Sequence, residues 1–258
     1  MAEPKTLLED IESRSMRGEP VAVVRALEIG SGGRATVSVS RGEIFPPIKD
    51  RQLAAHILAA VNTLTDKGGI ADLVEVEDEQ GSRVTLAVEV VKPKLALVIF
   101  GAGHVGQAVA ILGALTGYDV TVIDDREEFA SRKRFPDGRI ELLSGDYATA
   151  IGELAITPST AVVIVTRGHQ YDELCLKNLI NSSANYIGMI GSRRRVLSVF
   201  KKLASEGLSD ERLKRVHAPI GLRIGAKSPQ EIAISILAEI IGHVNNPHLE
   251  DKGERNAI

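Results

Sequence analysis

Residues 94–127, KLALVIFGAGHVGQAVAILGALTGYDVTVIDDRE, constrain what this chain can fold into more than any other stretch. An apolar run enters a glycine turn, Gly101-Ala-Gly-His-Val-Gly106. A helix-period segment follows, and a second apolar run closes on Asp124 and Asp125. A glycine triplet alone carries little information. Set between a strand and a helix, with an acid about 20 residues further on, it reads as a dinucleotide-binding βαβ unit.

Each residue of the turn has a physical task. Gly101 permits the tight bend, Gly103 lets the backbone approach a phosphate, and Gly106 lets the helix pack closely on the strand. His104 lies inside the turn, placed to sit against the ligand, and Val105 opens the helix, whose unpaired N–H groups and positive dipole end suit a pyrophosphate. Asp124 ends the second strand, can accept hydrogen bonds from ribose hydroxyls and repels a 2′-phosphate. That favours NAD or another adenine nucleotide over NADP-like ligands. Asp125 and Arg126 complete this corner of the candidate site, and Arg126 weakens the preference. The same residues also fit a Rossmann-like unit that keeps the turn for packing alone.

Pro93 marks a domain boundary. Before it, residues 4–17 and 50–64 read as helices and residues 21–27, 35–40, 73–77 and 84–91 as strands. Together they make a small α+β domain over residues 1–92, with a Gly-Ser-Gly-Gly turn at 30–33. After Pro93, strand readings at 95–100, 120–124, 140–143, 161–166 and 186–190 alternate with helical ones at 105–116, 147–154, 172–182 and 193–206. That alternation implies an α/β, Rossmann-like domain over residues 93–245, its mostly parallel sheet covered on both faces. A last helix is signalled by Ser228 as N-cap, Pro229 at the first helical position and Glu231 completing a capping box. Its wide apolar face (Ile232, Ile236, Leu237, Ile240, Ile241) predicts packing on the sheet or in a homodimer. The polar residues 246–258 read as a flexible tail.

Two further clusters follow strand ends in the same domain, where open α/β sheets bind their ligands. Arg167, Gly168, His169 and Asp172 lie in TRGHQYDE. His169 and Asp172 suit ligand binding or proton transfer, and equally a plain helix cap with a solvated histidine. One histidine and two acids make a poor metal site, so none is assigned. Gly191, Ser192, Arg193 and Arg194 open another helix: the serine can cap it, and guanidinium forks suit phosphate or carboxylate. A solvated basic face fits that run as well. His217 and Lys227, in VHAPIGLRIGAKSP, either line the same crevice or only scaffold the loop.

Composition sharpens this by exclusion. A net charge of −3, no Trp and 3% aromatics leave no basic or stacking surface for nucleic acid. Cys175 is the one cysteine, expected in the core, so neither an intrachain disulfide nor a cysteine zinc cluster can form. No apolar run reaches membrane-spanning length and the acidic start does not read as a signal peptide; a cytoplasmic protein with no membrane partner is expected. The sequence has no nucleophile elbow, phosphate-loop lysine motif or metalloprotease helix, and no catalytic residue is assigned.

The segments GAGHVGQAVA, VTVIDDREEFA, FPDG, VIVTRGHQYDE, YIGMIGSRRR and VHAPIGLRIGAKSPQEIAISILAEI follow in this order over residues 94–242. They resemble the xanthine dehydrogenase accessory factor family, the XdhC/CoxI type. The resemblance implies a chaperone that binds the molybdenum cofactor (molybdopterin), supports its sulfuration with a cysteine desulfurase and delivers it to a molybdenum hydroxylase client such as xanthine dehydrogenase. The phosphate of that cofactor, or the pyrophosphate of its nucleotide form, suits the glycine turn, with Arg167, His169, Asp172 and Arg193 reading the remainder. The N-terminal part departs from the family. Members carry a cysteine in a glycine-rich segment and a later Cys-Gly-Gly motif; residues 42–91 hold no cysteine, and Gly81-Ser-Arg stands where the later motif would be. Two rival readings use the same residues: an NAD-dependent oxidoreductase with His169 as general acid/base, and an NAD-sensing regulatory module.

Overall fold

The computed structural model describes residues 6–29, 33–67, 69–91 and 93–245; the turn read at 30–33 falls mostly outside them, and the tail at 246–258 wholly so. The chain divides into two compact units, Met1–Lys94 and Leu95–Ile258.

The first unit runs α1 (Leu7–Met16), β1 (Val21–Ile29), β2 (Gly33–Ser40), β3 (Glu43–Phe45), α2 (Arg51–Asp66), β4 (Ala71–Glu77) and β5 (Arg83–Val91). Its antiparallel sheet has the order β3-β2-β1-β5-β4. Alternation in β5 sends Val84, Leu86, Val88 and Val90 to one face, where Leu53, Ile57, Val61 and Leu64 of α2 cover them. Ser38 has the opposite parity to Val37 and Val39 in β2; its hydroxyl donates to Asp10 of α1, which Arg14 also clamps at 2.8 Å.

The second unit runs β6 (Ala96–Phe100), α3 (His104–Leu115), β7 (Asp119–Asp124), β8 (Ile140–Ser144), α4 (Tyr147–Glu153), β9 (Thr160–Ile164), α5 (His169–Leu179), β10 (Tyr186–Met189), α6 (Arg193–Ser205), α7 (Asp210–Lys214), β11 (Val216–His217) and α8 (Pro229–Asn245). All six strands are parallel, in the order β11-β10-β9-β6-β7-β8. That is the doubly wound order, and its winding reverses between β6 and β9. Residues of α3 and α8 (Val109, Ile236, Leu237, Ile240) build the core on one face of the sheet. Tyr147 of α4, Leu176 and Leu179 of α5, and Val199 and Leu203 of α6 build it on the other. With both faces covered, β9 is wholly buried, which is why its sequence runs apolar without alternation.

Several elements differ from their sequence signals. The fifth helix begins at His169, not Asp172, because Gly168 (φ +131°) makes the turn into it. The elements β3, α7 and β11 are too short to show a period. The β7–β8 connection has no helix; Phe135, fully buried, anchors it. At the start of α8, Ser228 accepts from the Glu231 amide at 3.2 Å while Glu231 accepts from the Ser228 amide at 2.9 Å, completing the capping box. None of the described helices is long and apolar enough to cross a membrane.

Candidate functional site

The glycine turn sits at the end of β6, where the winding reverses. Gly101 adopts φ +110° and donates to Ile123 O at 2.8 Å; a Cβ there would lie 2.4 Å from Val165 O. A Cβ on Gly106 would lie 1.8 Å from Gly101 O. Both glycines are therefore demanded by packing. Gly103 differs: a Cβ there would meet no protein atom within 4 Å, so this side of the turn faces open space. His104, at the first position of α3, is exposed beside it, and Val105 is half-buried.

Its place at the strand end makes Asp124 a ribose acceptor by sequence, but the structure turns it inward. The residue is fully buried. It accepts from the Ala102 amide at 2.7 Å, from the Arg126 amide at 3.1 Å and from Arg126 Nε and Nη2 at 2.8 and 3.1 Å. Burial opposes its ionisation, but the hydrogen bonds from Arg126 and Ala102 outweigh burial and hold the carboxyl below its ordinary range. Asp124 thus braces the turn. A second brace has no periodic signal in the sequence. Arg134 of the β7–β8 connection donates to Ala102 O at 2.7 Å, and its guanidinium and that of Arg126 lie 4.5 and 3.4 Å from the Phe129 ring centroid.

The ends of β7 and β9 meet through Asp125 and Arg167, whose Nη2 donates to Oδ2 at 3.2 Å. Gly168 is the backbone N-cap of α5; the side chain of His169 lies outside the described residues. Asp172 is no cap. It is fully buried in the first turn of α5, accepts from Thr166 Oγ1 and is paired with Arg195 of α6. Ser192, beside half-buried Gly191, caps α6 by accepting from the Arg195 amide at 3.3 Å. Arg193 and Arg194 in that first turn are exposed and make no ion pair among the described residues. Arg195 is the site residue that the sequence patterns do not single out; its one signal is its place three residues after the cap, which turns it inward. Lys227 is exposed.

His217 belongs to a separate buried cluster. Its ring stacks on Tyr186 with centroids 4.3 Å apart, and its Nδ1 lies 3.5 Å from Glu239 Oε1. Glu239 also accepts from Tyr186 Oη at 2.6 Å and the Gly221 amide at 2.7 Å, which ties the loop after β11 to α8. Burial alone would raise the Glu239 pKa; hydrogen bonding with His217, then with Tyr186 and the Gly221 amide, reverses that and lowers it to about 2. A carboxyl with a depressed folded pKa adds stability above its unfolded value of 4.5, and loses it as pH falls toward about 2. Glu239→Gln is therefore expected to be less stable than the parent at pH 7 and to approach it in acid. Urea unfolding of both proteins across pH 2–7 checks this; parallel curves would refute it.

A doubly wound sheet with a braced glycine turn at its reversal, and arginines at two neighbouring strand ends, defines a Rossmann-type domain. Residues 97–240 match the model of the XdhC Rossmann domain, and the chain belongs to that family. It is 37% identical over 176 residues to "Uncharacterized protein YqeB" of Escherichia coli strain K12, covering 68% of this chain and 32% of the relative. It is 33% identical over 154 residues to a probable xanthine dehydrogenase subunit of Bacillus subtilis strain 168, covering 60% and 44%. It is 28% identical over 149 residues to "Molybdenum cofactor insertion chaperone PaoD" of E. coli strain K12, covering 58% and 40%. The matches thus span less than half the length of each of these curated relatives. A crystal structure described as a xanthine dehydrogenase from Bacillus halodurans shares the fold, with a TM-score of 0.53 at 17% identity over 96% of this chain and 98% of that one.

Proposed function

We propose that this chain is a maturation factor for a molybdenum hydroxylase of the xanthine dehydrogenase type. Its crevice would bind the molybdenum cofactor, or the nucleotide form of it, and hand it to the client. One observation carries the reading: Gly103 leaves its side of the glycine turn open, and exposed Arg193 and Arg194, which make no ion pair among the described residues, would supply the contacts to an anion. The relatives named for xanthine dehydrogenase and for cofactor insertion support it. Asp124, with both oxygens occupied, does not offer the ribose acceptor on which the oxidoreductase and NAD-sensing readings rest.

The support for sulfuration would come from a partner's thiol. Cys175 is fully buried, and burial pushes its thiol up to about 12, so it offers no thiolate for carrying sulfur. A cysteine desulfurase would then act on the bound cargo with its own cysteine. Pairing of two copies would use Ile111 and Leu115 of α3 and Ile234 and Ile241 of α8, which are 37–73% exposed.

Co-expression with a molybdenum hydroxylase tests the reading. Client molybdenum content and activity are expected to depend on this chain and to fall as far with the double variant Arg193→Glu/Arg194→Glu as without the chain. A fully loaded client in its absence would overturn the reading, and light scattering of the purified chain distinguishes monomer from dimer.

A further inference from the structure

Phe100, Ile123 and Ile164 are register partners, so β6, β7 and β9 end level at the reversal point. Asp125 follows β7 and Arg167 follows β9, and β6 with its glycine turn lies between those strands. The Arg167–Asp125 contact at 3.2 Å therefore spans the mouth of the crevice above the turn. A ligand running from the β7 side to the β9 side on this fold must pass it.

The two partners are unequal. Arg167 is 53% exposed, so its ion pair is weak and opens readily. The Asp125 side chain is only 19% exposed. Its Oδ1 is buried with no hydrogen-bond partner, and Arg126 Nε stands at 3.7 Å, beyond hydrogen-bonding reach. An orphaned buried acceptor destabilises the state that contains it, and a donor arriving with a ligand would relieve that. Neighbouring Asp124 cannot take such a donor, since Arg126 and Ala102 fill both its oxygens.

We propose, building on the cofactor reading above, that the Arg167–Asp125 pair is a latch that the ligand replaces with its own groups. An anionic group of the ligand takes Arg167, and a planar edge with two N–H donors, of the aminopyrimidine kind found in pterins, takes the Asp125 carboxylate. Two carboxylate oxygens match two parallel N–H donors as they match a guanidinium. The latch thus selects ligands that carry both a phosphate and such an edge. Asp125, not Asp124, is the specificity-determining acid of this site.

Titration calorimetry on the full chain tests this, with inorganic pyrophosphate and with molybdenum cofactor released from a denatured molybdenum hydroxylase as probes. Asp125→Asn is expected to bind the released cofactor about tenfold or more weakly, because a charged acceptor is lost. It is expected to bind pyrophosphate several-fold more tightly, because Arg167 is no longer held. Arg167→Gln is expected to weaken both probes. A purely structural ion pair would make the two variants behave alike toward both ligands, and that result overturns the latch. The pyrophosphate arm reads the latch even if the parent ignores the released cofactor, an outcome that would overturn the cofactor reading separately; a parent that binds neither probe overturns both.

Discussion

Gly106→Ala is expected to destabilise the second unit by about 2 kcal/mol or more, the net of two opposed effects. Alanine improves helix propensity over glycine by about 1 kcal/mol. Against that, its Cβ would stand 1.8 Å from Gly101 O, so α3 or the turn has to move. Overpacking costs about 1–3 kcal/mol where side chains can adjust. Here the obstructing atom is backbone, held by the Gly101–Ile123 hydrogen bond at 2.8 Å, and the cost lies at or above the top of that range. Gly103→Ala is the matched control, because its Cβ meets nothing within 4 Å. It should leave urea unfolding unchanged and weaken pyrophosphate binding. Equal stability losses in the two variants would defeat this division of labour between packing and ligand approach.

What the sequence shows and what it hides divide along physical lines. The glycine turn, the buried strands β6 and β9 and the cap of α8 rest on local rules that operate within a few residues. Apolar runs, a turn needing positive φ and a Ser-x-x-Glu box each announce themselves. The partners of the site's charged residues do not. Residue spacing places Asp124 at the end of β7, but cannot show that Arg126 folds back onto it and occupies both its oxygens. Arg134 sits in a connection without periodicity, so nothing local points to its bond with Ala102 O. Three consecutive arginines look alike in sequence. Only the helix that starts at Arg193 sorts them, leaving Arg193 and Arg194 outside and turning Arg195 toward Asp172.

That sorting leads to the other large expected effect. Arg195→Leu should destabilise the unit by about 3–5 kcal/mol, because it strands a carboxylate that is fully buried. Among the described residues, Asp172 would keep its hydrogen bond from Thr166 alone. Replacing both partners, as Asp172→Leu/Arg195→Leu, should recover much of the loss, since two apolar side chains tolerate the same burial. Arg193→Ala/Arg194→Ala should change stability by no more than about 0.5 kcal/mol, as exposed unpaired residues do, while reducing pyrophosphate affinity. A double-mutant cycle by urea unfolding gives the coupling of Asp172 to Arg195 directly. Coupling near zero would mean that the pair holds nothing together. Strong coupling would mean that one ion pair on a buried carboxylate ties the first turn of α6 to α5, and so fixes where the two exposed guanidinium groups of Arg193 and Arg194 stand.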